Sequence, residues 1–124
     1  MAYIKLCSYE EMDPEIQVKA KEILKKTGKL GEIFELIALN KDIYNATDNM
    51  VQSYLLKETL LPYSTKERIA LLISIDNGCK MCVDVHKNIA KMLGMSEAQI
   101  LEAVTVTGYF NYINTLSNVF GLGK

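Results

Sequence analysis

Apolar residues recur at three- and four-residue spacing along most of this chain, and no pair of segments alternates apolar and polar positions as strands would. The pattern predicts an all-α fold of six or seven short helices. Asp13-Pro14-Glu15 is a helix start, with an N-cap, a proline at the first helical position and an acid in the first turn. Ile16, Ala20, Ile23 and Leu24 mark its inward face, and lysines followed by Gly28 close it. A short second helix is expected from Leu30 to Leu39. Asn40 caps a third, which runs to about Leu60 ahead of Pro62. Ser64-x-x-Glu67 reads as a capping box opening a fourth helix. Its run from Ile69 to Ile75 is apolar nearly all round, which places it in the middle of a bundle.

Asp76-Asn77-Gly78 ends that helix, and a fifth runs from about Cys79 to Leu93. Lys80, Asp84, Lys87 and Lys91 form its solvated face; Cys79, Cys82, His86, Ile89 and Leu93 form the opposite, inward stripe. Ser96-x-x-Gln99 caps a further helix, and Gly108 is expected to break it before a last one, Tyr109 to Phe120. On that last helix Asn111, Asn114 and Asn118 form a polar stripe. Tyr109, Phe110 and Tyr112 read as packing or subunit contacts.

With 124 residues the chain is expected to be one domain, 1–124, with a core of its own. The net charge of −1 gives no electrostatic case for nucleic acid or an anionic membrane. No apolar run reaches the ~18 residues of a membrane span, and residues 1–15 lack the pattern of a signal peptide, so a cytoplasmic location is expected. There a C-x-x-C pair is more often catalytic or metal-binding than a structural staple.

Two of the three cysteines form such a pair, Cys79-Lys80-Met81-Cys82, and the single histidine, His86, follows one turn later. A thiol reacts as its thiolate, and an ordinary cysteine near pKa ~8.5 is mostly protonated at neutral pH. A helix amino end, Lys80 and an imidazole leaning back toward Cys82 all favour the anion or can take its proton. Cysteines three apart share a helical face and can close a disulfide with little backbone movement. If the fourth and fifth helices pack antiparallel, Glu67 lies ~15 Å below the turn and His86 ~10 Å below Cys79. The depth order Cys79, Cys82, His86, Glu67 is that of a proton relay. Because Glu67 should lean away from His86, a bridging water is expected between them. The plainer readings are a capping acid at Glu67, a core histidine at His86 and a metal site on Cys79, Cys82 and His86. That metal site would lack its fourth ligand, the nearest spare being Cys7 in an unpatterned segment. A metal-binding or helical interaction protein is thus the alternative to an enzyme, and Cys7 is expected to be an inert or surface thiol.

The spacing Glu67, eleven residues, Cys79-x-x-Cys82, three residues, His86 resembles the alkylhydroperoxidase D (AhpD) branch of the carboxymuconolactone decarboxylase superfamily. The resemblance covers about Tyr63 to Gly121. It implies an AhpD-like helical bundle assembled as a trimer or hexamer. It also implies a thiol-dependent peroxidase or disulfide reductase acting on alkyl or hydrogen peroxides. Cys82 would be the peroxidatic thiol, Cys79 the resolving thiol, and Glu67 with His86 the relay. No cofactor is implied beyond the redox-active Cys79–Cys82 disulfide, and the electron donor would be a dithiol or a lipoylated protein. Met81 stands where many relatives carry an aromatic residue or a histidine. The decarboxylase branch lacks the C-x-x-C pair, so decarboxylase-type chemistry is not expected.

Overall fold

The computed structural model describes residues 2–123, and among them every regular element is a helix. Six α-helices follow in chain order: α1 Pro14–Thr27, α2 Glu32–Ile37, α3 Lys41–Met50, α4 Tyr63–Asp76, α5 Lys80–Met92 and α6 Glu97–Val119. A 3₁₀ turn, Tyr9–Glu11, precedes α1, and a π turn, Val51–Leu55, prolongs α3. The chain divides into two compact units, one ending at Leu56 and one beginning at Lys57.

The first unit forms as the sequence dictates. Asp13 accepts the Glu15 amide ahead of Pro14, and Gly28, at φ 77°, ends α1 in the left-handed conformation that a side chain would resist. Asn40 caps α3 by accepting the amides of Asp42 and Ile43. Ile16 and Ala20 of α1 are buried together with Cys7, Met12, Ala38 and Tyr44, and Phe34 meets Tyr44 edge to face at 5.6 Å. Cys7 is therefore a buried thiol, not a surface one. Its position is fixed by its amide, which donates to the Glu35 carbonyl at 3.2 Å.

Three expectations about element boundaries are corrected. The helical run that continues α3 stops at Leu55, not Leu60, and its last turn has widened to the π form, with the Leu56 amide on the Val51 carbonyl. In α4 the helix opens two residues earlier than a Ser64 cap would set it, at Tyr63 after Pro62, and no Ser64–Glu67 capping box forms. The Glu58 carboxylate instead accepts the Tyr63 amide at 3.1 Å, and Lys66 Nζ ties the preceding loop down by donating to the Lys57 carbonyl and Thr59 Oγ1. Glu67 is thereby released from any capping duty. Finally, Gly108 does not break α6, which runs unbroken for 23 residues. A glycine inside a helix costs about 1 kcal/mol relative to alanine, too little to stop so long a hydrogen-bond ladder.

In the second unit α4 packs along α5 and, on another side, against α6. Glu67, Leu71 and Ser74 lie on one stripe of α4 and are buried, as is Ala90 on α5. The expected all-round burial of α4 is not met: Ile69 and Ile73 are exposed. Tyr109, Phe110 and Tyr112 of α6 are likewise exposed in the single chain.

Candidate active site

The turn between α4 and α5 sets the geometry. Gly78 takes φ 66°, Asn77 donates its amide to the Ile73 carbonyl, and the Cys79 amide reaches back to the Ser74 carbonyl at 3.0 Å. This closing pattern tucks Cys79 back to the level of Ser74. Cys79 is then the N-cap of α5 and Cys82 the third residue inside it.

The two cysteines are joined as a disulfide, with Cα atoms 5.3 Å apart. Both are half-buried, while Lys80 and Met81 between them are exposed. Both sulfurs lie in the first turn of α5, where amides without helical partners and the positive end of the helix would stabilise a thiolate once the bond opens.

His86 Nδ1 lies 2.7 Å from Glu67 Oε2, a direct hydrogen bond across the α4–α5 interface. No water is needed between them. The long glutamate side chain reaches the ring despite the lean expected of it. A carboxylate only accepts, so Nδ1 carries the proton given to Glu67 and the neutral ring keeps a lone pair on Nε2. Glu67 is buried, and the His86 side chain keeps 27% of its surface open. Outside this cluster, the first unit holds an apolar hollow of about 340 Å³ lined by Ile23, Phe34, Ile37, Tyr44 and Val51 among others; it contains neither thiol nor imidazole.

Of the four residues singled out from sequence, Glu67 and His86 therefore meet across the α4–α5 interface, and Cys79 and Cys82 are joined at the start of α5. A model of the carboxymuconolactone decarboxylase family matches residues 41–124, about two-thirds of the chain. The chain belongs to that family, in its AhpD-like branch. Its structure is similar to the crystal structure of the alkylhydroperoxidase AhpD core from Rhodospirillum rubrum, with a TM-score of 0.84 and 25% sequence identity. The match covers 100% of this chain and 94% of that one, so the AhpD-like fold includes the first sixty residues, which carry no motif. No curated protein matches the chain.

Sequence reading missed one neighbour of the AhpD-like site. Tyr63 stands four residues before Glu67 on α4 and is half-buried. Burial first, and then the negative charge and hydrogen bond of Glu67, push its phenol above the ordinary value. The i, i+4 spacing was the available signal. Among the described residues no group of three or more His, Cys, Asp or Glu side chains is arranged to hold a metal ion. Nor is any helix there long and apolar enough to cross a membrane.

Proposed function

We propose that this protein is a thiol-dependent peroxidase of the alkylhydroperoxidase type, cycling Cys79 and Cys82 between dithiol and disulfide. The observation that carries the reading is the combination of a C-x-x-C disulfide at the start of α5 with an imidazole one turn away, itself held by a buried carboxylate. An isolated structural staple needs no such neighbour.

In the reduced protein, the free ring nitrogen of His86 accepts the Cys82 proton, and Glu67 stabilises the imidazolium that results. The Cys82 thiolate attacks one peroxide oxygen; the O–O bond breaks, sulfur becomes a sulfenic acid, and the departing alkoxide takes the proton back from His86 as an alcohol. The Cys79 thiol then condenses with the sulfenic acid, forming the S–S bond and releasing water. An external dithiol, free or as a lipoyl group on a carrier protein, reopens the bond by exchange and leaves as its own disulfide. With a substrate disulfide in place of peroxide, the reduced Cys79–Cys82 pair would open that bond by the same exchange and become the disulfide itself, so the protein would act as a disulfide reductase.

Cys82 is assigned as the attacking sulfur because it lies one turn from His86, whereas Cys79 caps the helix and is further up. The exposed Tyr109, Phe110 and Tyr112 on α6 support a homo-oligomer in solution, since monomers rarely leave such aromatic clusters in water. A carboxymuconolactone decarboxylase activity needs no thiol pair and is not the reading the site favours.

The test is peroxide reduction with dihydrolipoamide as donor. Cys82→Ser is expected to lose turnover entirely. Cys79→Ser is expected to stop after one turnover with a sulfenic acid on Cys82, detectable by a carbon-acid trapping reagent and mass spectrometry. Undiminished turnover by the Cys82→Ser variant would end the proposal.

A further inference from the structure

The apolar hollow of the first unit has no part in the thiol chemistry, yet it has the features of a binding site. Helix α1 supplies Ile23, α2 supplies Phe34 and Ile37, and the π turn after α3 supplies Val51, with Leu56 just beyond it. Single π turns of this kind occur frequently at functional sites. At about 340 Å³ the hollow falls within the range of small-molecule pockets, which are mostly apolar with a few placed polar groups. Here the placed polar group is Tyr44.

Tyr44 lies on α3, keeps only 7% of its surface open and packs its ring edge to face on Phe34. A buried tyrosine usually finds a hydrogen-bond partner for its hydroxyl. This one has none among the described residues. Every side-chain oxygen or nitrogen sealed off from the surface there is partnered, so the Tyr44 oxygen is not sealed off. Its open side belongs to the hollow that Tyr44 lines. Around the rim other polar groups answer one another. Lys19 pairs with Glu22 at 3.4 Å, and the Gln52 amide donates to Asp48 at 3.4 Å.

We propose that this hollow binds a small, largely apolar molecule with one neutral oxygen acceptor, of the ketone or ester class, which the Tyr44 hydroxyl holds by donating to it. Burial first, and then the negative charges of Asp48 and Glu22, hold the phenol above its ordinary value, so it stays protonated and able to donate across the neutral range. One cation, Lys19, stands there against two carboxylates, Glu22 and Asp48, which disfavours an anionic head group and leaves a neutral acceptor as the match. The apolar walls supply affinity and the phenol supplies orientation. The site is independent of the assigned peroxidase chemistry, and its test involves neither Cys79 nor Cys82.

The probe is acetophenone, with α-methylstyrene, in which a methylene group replaces the carbonyl oxygen, as its counterpart without an acceptor. Both are titrated into the intact chain and followed by NMR at the methyl groups of Ile23, Ile37 and Val51 and at the Tyr44 ring carbon that bears the hydroxyl. In the wild-type protein, acetophenone is expected to saturate one site per chain and to shift those methyl signals and the Tyr44 carbon. The styrene is expected to shift the methyl signals and leave that carbon nearly unmoved. Tyr44→Phe should weaken acetophenone by about 3- to 10-fold, the worth of one neutral hydrogen bond, and leave the styrene unchanged. Ile37→Trp, which fills the hollow, should abolish the binding of both. The proposal is overturned by an absence of saturable acetophenone binding, by shifts confined to residues outside the hollow, or by equal weakening of both probes in Tyr44→Phe. Acetophenone binding that appears only when the protein is diluted into smaller species would assign the hollow to a second copy of this chain, and overturns it too. If Tyr44→Phe disturbs folding, the wild-type contrast decides: an equal response of the Tyr44 carbon to both probes counts against the proposal.

Discussion

At the scale of single residues, the account assigns unequal fates to the three cysteines. Burial raises the Cys7 thiol above its ordinary value, and the residue sits in the core of the first unit. In the native reduced protein, alkylation at mildly alkaline pH should therefore label Cys79 and Cys82, with Cys7 reacting only after unfolding. Peptide mapping by mass spectrometry checks this. Glu67→Gln keeps the size of the side chain but loses the charge that supports an imidazolium. Its kcat/KM should fall by about 10²-fold or more, while slow disulfide formation by strong oxidants persists. At this scale the sequence indicated two contacts: the spacing of three put Cys79 and Cys82 within bonding reach, and the depth order put Glu67 and His86 near one another. The Glu58–Tyr63 contact was not legible, since it depends on where α4 begins, two residues before the Ser64 cap that the sequence suggested.

At the scale of elements, the α4–α5 turn has the strongest leverage on the site. Gly78 holds φ 66°, so Gly78→Ala should cost about 1–2 kcal/mol in denaturant unfolding, and should slow disulfide closure by displacing Cys79. Gly108 is the opposite case. It lies inside α6 with a helical backbone, and a methyl group built on it meets nothing within 4 Å. Gly108→Ala should stabilise the protein by about 1 kcal/mol, again by chemical denaturation. The unbroken α6 shows why glycine was a poor guide here. A glycine ends a helix when the chain also needs a left-handed residue, as at Gly28 and Gly78, and not otherwise. The bridging water expected between Glu67 and His86 came from the lean of a glutamate side chain toward the start of its own helix, and the direct 2.7 Å contact overrides that lean.

For the whole molecule, periodicity correctly indicated an all-helical chain, and the spacing of four residues correctly placed it in the AhpD-like branch of its family. Less of the packing could be read. A helix apolar nearly all round was expected at the centre of one chain's bundle, yet Ile69 and Ile73 of α4 are exposed, as is much of α6. Hydrophobicity tells that a face will be covered, not by which chain. The proposed homo-oligomer would cover that surface, and sedimentation should then show an oligomer larger than a dimer. Tyr112→Glu, which puts a charge on the exposed aromatic face of α6, should shift it toward smaller species.

The central claim is that peroxide converts the Cys79 and Cys82 thiols into the disulfide by way of Cys82. The direct measurement is a thiol count and disulfide map on fully reduced protein after one equivalent of peroxide, followed by dihydrolipoamide. The account predicts the loss of two thiols per chain, their recovery as one Cys79–Cys82 bond with Cys7 untouched, and full reversal by the dithiol. Retention of all three thiols, or oxidation falling on Cys7 instead, would contradict it.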